Sequence, residues 1–291
     1  MSTFDKIIED YELVSLPSIT TNLLNMLKSD DINLTEVTQL VQADPSLTTK
    51  LFRVANSPVY ATRQQIKTMQ QAIMIMGFRK LINIVLAISI FSNFWLKTKP
   101  GLSKLIEKFW IHSICTSAIT KSIAAKIHVN FRDYDFIGGV LHEIGKLIMI
   151  QSNYDKYQKV IDAIEKYIVP DTTAENKIFG YTHNEIGERL AVLWKMPEEL
   201  ISIIANYNNP KAENDNQLLT ASVGFASIIS EIHGCSFFKG LNMNIDISEY
   251  DSWHILCNNI EGIKDIGPEL FIGSVKNEMK ESLEFLNALK S

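Results

Sequence analysis

Apolar residues recur at spacings of three and four along most of this chain. Leu23, Leu24, Met26 and Leu27 form one such run, and Leu47, Leu51, Val54 and Ala55 form another. This period puts apolar side chains on one face of an α-helix, and the strict alternation of a half-buried strand is scarce. Helix-start signals precede the runs. Asn33 with Glu36, Thr68 with Gln71 and Thr182 with Glu185 each have capping-box spacing, in which an N-cap oxygen and an N3 side chain satisfy two free amides reciprocally. Asp44-Pro45 is a further start, because proline at the first helical position loses no useful N–H and the aspartate accepts from the amides behind it. Pro197, followed by Glu198 and Glu199, repeats that logic. The pattern predicts an all-α, multi-helical protein.

The run from Leu81 to Leu96 is the most apolar. Asn83, Ser89, Ser92 and Asn93 interrupt it, and it is shorter than the ~20 residues a membrane span needs, so it reads as a buried core helix. Gly77 ends the helix before it. Lys99-Pro100-Gly101 is the best break, dividing an N-terminal helical lobe (1–100) from a second lobe (101–291). In the second lobe the expected helices run from about Leu102 to His128, Tyr134 to Ile150, Tyr154 to Ile168, Thr182 to Lys195, Pro197 to Tyr207 and Gln217 to His233. A mixed loop follows Gly234, and an amphipathic helix from about Pro268 to Leu289 closes the chain.

Composition narrows the function classes. A hydrophobic content of 46% over 291 residues is ample for a core without disulfides. The formal net charge of -5 supplies no field for a polyphosphate backbone, and no basic patch stands out beyond Arg79-Lys80, so no nucleic-acid partner is expected. Cys115, Cys235 and Cys257 lie far apart without CxxC spacing, as isolated reduced thiols would. Asp5, Glu9, Asp10 and Glu12 stand where a secretory signal would begin with basic residues, which points to the cytoplasm.

The residues that could carry chemistry lie in the second lobe. His112, His142 beside Glu143, and His183 all occupy helix positions, and imidazole and carboxylate groups from separate helices can converge on one divalent cation in a bundle core. The alternative is three hydrogen-bonded core histidines. Lys146, one turn after His142, could face a phosphate or snorkel at the surface. Gly138, Gly139 and Gly145 flank the pair and suit either ligand approach or close helix crossing. Met69, Met74 and Met76 read as core filling. There is no P-loop, GxGxxG, GxSxG or HExxH.

Taken together, these motifs resemble the HDOD family, the HD-related output domains of the HD superfamily. The first lobe offers Leu16-Pro17, Asp44-Pro45, the run Arg53-Val54-Ala55-Asn56-Ser57, and Ala72-Ile73 leading to Met76-Gly77. The second offers Trp110-Ile111-His112-Ser113, Leu141-His142-Glu143-Ile144-Gly145-Lys146-Leu147, and His183-Asn184-Glu185-Ile186-Gly187 with Trp194 and Pro197. The resemblance runs from about Leu16 to Pro210. It implies a degenerate HD-like bundle in which His112, His142, Glu143 and His183 are vestigial metal positions. The usual His-Asp pair is here His142-Glu143, Tyr207-Asn208 stands where many relatives have histidine, and Ser227 takes the place of a later aspartate.

What the resemblance implies for function is a non-catalytic signal-transduction module acting through protein contacts, in motility, chemotaxis or stress signalling. It would bind no cofactor or, failing that, a divalent iron, manganese or zinc ion. The competing expectation is a divergent metal-dependent phosphohydrolase, or a non-hydrolysing binder of a nucleotide or cyclic dinucleotide, with Lys146 on the phosphate. The partner would be a signalling protein, with a homodimer also open.

Overall fold

A computed structural model of the chain describes residues 15–28, 34–57, 65–96, 98, 101–212, 215–238, 246–260 and 284–290, with 263, 267, 268 and 273. These residues form helices and no strands.

The first five helices are α1 (Ser18–Leu27), α2 (Leu34–Gln42), α3 (Pro45–Ala55), α4 (Met69–Met76) and α5 (Phe78–Leu96). Their boundaries follow the local chemistry. Asp44 caps α3 by accepting from the amides of Ser46 and Leu47, with Pro45 inside the first turn. Thr68 and Gln71 form the full reciprocal box on α4, and Gly77 ends that helix at φ +80°. Asn56 stops α3, and its amide then clasps the chain at Ile66, donating to the Ile66 carbonyl and accepting from the Ile66 amide. Asn33 and Lys99-Pro100 lie outside the described residues.

Helix α5 is apolar on nearly every side and is correspondingly buried. The stretch Phe78–Trp95 is long and apolar enough to cross a membrane, and 67% of it is buried inside the fold. It packs against α1, α3 and α4 on one side and reaches α7 (Tyr134–Leu141) on the other. Asn83 uses its polar end there, donating to the Asp133 carbonyl at the start of α7.

The remaining helices are α6 (Ser103–Lys126), α8 (Ile144–Ser152), α9 (Tyr154–Tyr167), α10 (Asp171–Phe179), α11 (His183–Leu193), α12 (Glu198–Asn206), α13 (Gln217–Ile232) and α14 (Asp251–Asn259). Helix α6 is the central strut, packed against α7 and α13, while α8 packs on α11 and α11 on α12. One continuous set of buried apolar side chains runs from Leu23 to Leu289. A smaller one joins α6, α13 and α14 through Ile119, Phe225 and Trp253.

Several expectations need correction. The helix expected from Tyr134 to Ile150 is two helices, broken at His142-Glu143. The cause is close packing on either side of the break. A Cβ on Gly139 would lie 2.4 Å from the Cα of Ser117, and one on Gly145 would lie 2.0 Å from the His183 carbonyl oxygen. So α7 is drawn onto α6 and α8 onto α11, and the chain turns between them. The glycines therefore serve helix crossing. Helix α10 was missed because Asp-Thr-Thr-Ala-Glu-Asn-Lys has no apolar period, although Pro170 before it and Gly180 after it, at φ +84°, mark both ends. The loop expected after Gly234 contains α14. Pro197 sits at the N-cap of α12, one place before the first helical position. Met74 is 82% exposed and fills no core, unlike Met69 and Met76. The thiols of Cys115 and Cys235 meet in a side-chain hydrogen bond, so those two are not isolated.

Candidate metal centre and adjoining cavity

Six elements converge on one buried site. His112 comes from the middle of α6, His142-Glu143 from the break, Lys146 from the first turn of α8, and Asp171 and Glu175 from α10. His183 opens α11 and Tyr207 closes α12. His112, His142, Glu143, Lys146 and His183 are all at most 2% exposed. The four residues expected as metal positions are thus brought together, in two overlapping groups. His112, His142 and Glu143 offer ligand atoms within 4.8 Å of one another, and so do Glu143, Asp171 and His183.

The first group is set up as a ligand set. His112 Nδ1 lies 2.9 Å from the Cys235 carbonyl and His142 Nδ1 lies 2.8 Å from the Gly139 carbonyl. A carbonyl only accepts, so both Nδ1 atoms carry protons and both Nε2 atoms present lone pairs, the arrangement that orients metal-binding histidines. Among the described residues His142 Nε2 has no hydrogen-bond partner, and neither does Glu143 Oε2. His112 Nε2 lies 3.8 Å from that same Oε2 and 3.2 Å from the Ser227 hydroxyl. Burial lowers the pKa of both rings against the pull of Glu143, His142 to about 3, so both are neutral. Two neutral imidazoles and one carboxylate with orphaned lone pairs fit a divalent cation.

The second group is occupied from within. The Lys146 ammonium touches Glu143 Oε1 and lies 2.6 Å from Asp171 Oδ2, with the rings of Phe237 and Phe238 beyond it. Burial opposes its charge, but Asp171 and Glu143 outweigh that and raise its pKa. The same contacts hold Glu143 well below the usual carboxylate range and lower Asp171, in each case against the cost of burial. Lys146 is therefore a deeply buried counter-ion and does not snorkel.

His183 has no lone pair to offer. Its Nδ1 donates to Glu175 Oε2 at 2.7 Å, and its Nε2 lies 2.8 Å from the Tyr207 hydroxyl. That hydroxyl gives its one proton to Glu143 Oε1 at 3.0 Å, so Nε2 must donate as well. The ring is then an imidazolium. Burial disfavours that charge, yet Glu175 overrides it and raises the pKa. Glu175 is fully buried and also accepts from the Tyr157 hydroxyl at 3.3 Å.

Sequence reasoning missed Asp171, Glu175 and the bridging role of Tyr207. The first two lie on the unforeseen α10, whose Pro170-Asp171 start was the available signal. Ser227, in the place of the later aspartate, stands beside His112, and Asn208 donates to Asn184 Oδ1 at 2.8 Å. A further carboxylate, Glu231, lies one turn beyond Ser227 on α13. A cavity of about 580 Å³ opens beside the site, bordered by Glu143, Asp171, Tyr207, Ser227, Glu231 and Tyr250.

The helical bundle that holds this His-Glu group has the HD-domain-like fold. A family model for the HDOD domain matches residues 13–210, more than half of the chain, and the chain belongs to that family. Solved structures share the fold. An HDOD domain protein of unknown function from Geobacter sulfurreducens superposes with a TM-score of 0.78 at 20% identity, over 95% of this chain and 92% of its own. A Shewanella amazonensis SB2B protein with a provisional phosphohydrolase designation gives 0.75 at 22% identity, over 99% and 98%. A Marinobacter aquaeolei VT8 protein provisionally named for signal transduction gives 0.74 at 15%, over 100% and 62%. An uncharacterized protein of Treponema pallidum (strain Nichols) is 22% identical over 219 residues. The match covers 75% of this chain and 42% of that relative's length.

Proposed function

We propose that this chain is a non-catalytic regulatory module of signal transduction that acts through contacts with a signalling protein. The single observation carrying this reading is the Lys146 ammonium seated between Glu143 and Asp171. Metal-assisted phosphoester hydrolysis needs a cation with an open position beside the reacting phosphate. Here half of the ligand cluster is neutralised by the protein's own cation, and His183 is capped by Tyr207 and Glu175. Designations of both kinds, signal transduction and phosphohydrolase, occur among the structural relatives.

A second reading rests on the first ligand group. His112, His142 and Glu143 would hold one divalent iron, manganese or zinc ion, which when bound would supply Lewis acidity and an activated water. In the non-catalytic reading such an ion only ties α6 to the α7–α8 break. The test is turnover of bis-p-nitrophenyl phosphate and of cyclic dinucleotides by purified protein supplied with Mn2+, Fe2+ or Zn2+. No turnover above background is expected. Turnover that disappears in His142→Ala would establish the phosphohydrolase reading instead.

A further inference from the structure

The cavity beside the site has an unbalanced lining. Glu143, Asp171 and Glu231 face it from the inner wall and Glu249 and Asp251 from the outer one, and no lysine, arginine or histidine lines it among the described residues. Two lysines that touch its lining residues are committed. Lys146 is held by Glu143 and Asp171, and Lys211 pairs with Asp251 at 2.6 Å. Two polar atoms on residues that line the cavity are deeply buried and have no hydrogen-bond partner among the described residues: Glu143 Oε2, on a residue 2% exposed, and Ser252 Oγ, on a residue 4% exposed. An orphaned buried acceptor of this kind is costly unless something donates to it. Glu231 is half-buried and makes no ion pair with a described residue. Burial and the charges of Glu143 and Asp171 push its carboxyl up to about 8 against the opposing pull of Lys146.

The rest of the lining is aromatic and aliphatic. Tyr207, Tyr250 and Phe238 supply rings, and Ile164, Ile168 and Ile228 supply hydrocarbon. Carboxylates among aromatic faces favour an organic cation: the charge is matched, the ring faces attract it, and the hydrocarbon covers its body. A metal-free phosphate or nucleotide would meet acidic groups with no free cation among the described lining residues to receive it.

We infer that this cavity is a binding site for an organic ammonium ligand, an aliphatic amine whose charged end is taken by Glu231 with Ser252 and Glu143 accepting from it. The inference rests on the non-catalytic reading, since in a hydrolase the same carboxylates would serve metal and phosphate. A free aliphatic polyamine and a lysine side chain of a docked protein offer this same chemistry.

Calorimetric titration of the metal-free full chain at about 0.15 M salt, where surface attraction is screened, tests it with three probes: spermidine, a capped Gly-Gly-Lys-Gly-Gly peptide, and inorganic pyrophosphate. Saturable binding of one of the first two is expected, and the tighter of them identifies the source. Glu231→Gln should weaken that binding about tenfold or more and Ser252→Ala several-fold. Glu188→Gln, which removes the same charge at an exposed position, should leave it unchanged. Binding of neither amine overturns the inference, as does amine binding that Glu231→Gln leaves unchanged or pyrophosphate binding as tight as the amine's. Phosphoester turnover in the assay above would overturn the functional reading separately, without reference to the amine.

Discussion

Lys146 makes the site a closed electrostatic unit. Its ammonium sits between two carboxylates at 1% exposure, where removing one partner of a buried pair costs far more than the pair contributes. Lys146→Met keeps the length and burial of the side chain but leaves Glu143 and Asp171 facing each other uncompensated. Stability should fall by roughly 3 to 5 kcal/mol, seen as a lower thermal midpoint. The vacated space lies between the carboxylates of Glu143 and Asp171, so added Mn2+ should recover part of that loss, and recover more than it adds to the wild type. Equal Mn2+ effects on the two proteins would show that the ammonium does not stand in for a cation. At this scale the sequence revealed residue types more than roles. His112, His142, Glu143 and His183 were recognisable by motif. Whether each ring offers a lone pair depends on the carbonyls of Gly139 and Cys235 and on Tyr207 and Glu175, which only the folded chain brings near.

The helices owe their ends to local chemistry and their crossings to missing side chains. Thr68, Asp44 and Thr182 cap as their spacing requires, because an N-cap bond involves only residues two or three apart. The division of the stretch Tyr134 to Ile150 could not be read that way, since it depends on α6 and α11. Helix α10 was hidden for a different reason: its face toward the site is built from Asp171 and Glu175, so the apolar period that betrays other helices is absent. Gly139 and Gly180 separate the two kinds of constraint. Gly139→Ala gains about 1 kcal/mol of helix propensity, but its Cβ would meet the backbone of Ser117, which cannot yield without moving α6. A net loss of about 1 to 3 kcal/mol is expected, together with weaker metal or ligand binding as the break shifts. Gly180→Ala meets no atom within 4 Å and bears only the strain of φ +84°, about 1 kcal/mol, with the site unaffected. Thermal midpoints and titrations of the two variants would distinguish them; equal effects would mean that the α6–α7 contact does not position the break.

Over the whole molecule the buried ionisable groups fix how stability varies with pH, and their signs can be worked out for the metal-free protein. His112 and His142 are held neutral below their usual 6.5, so between that value and acid pH the unfolded chain binds protons the fold refuses, and stability falls as pH falls. Glu143 and Asp171 are depressed and add to the loss below about pH 4.5, where their unfolded counterparts take up protons. On the alkaline side His183 is raised: its contribution is complete below pH 6.5 and is lost as pH climbs through its folded value. Glu231, raised to about 8, keeps a proton in the fold that the unfolded chain releases from about pH 4.5, so its contribution declines up to pH 8 and is level beyond. From pH 4.5 to 6.5 the two histidines and the raised carboxyls of Glu231 and Asp135 act in opposite directions. Above that, His183 and Glu231 act in the same direction. Stability should therefore be greatest between about pH 4.5 and 6.5 and decline on both sides, each unmatched proton contributing about 1.4 kcal/mol per pH unit. Glu231→Gln removes one of the two alkaline terms, so its decline between pH 6.5 and 8 should be shallower than the wild type's, while the acid limb below pH 4.5 is unchanged. Denaturant titrations across pH 4 to 9 measure both limbs. An unaltered alkaline slope in Glu231→Gln would mean that this carboxyl titrates as an ordinary surface group, and it would remove the electrostatic tension that a bound ammonium is proposed to relieve.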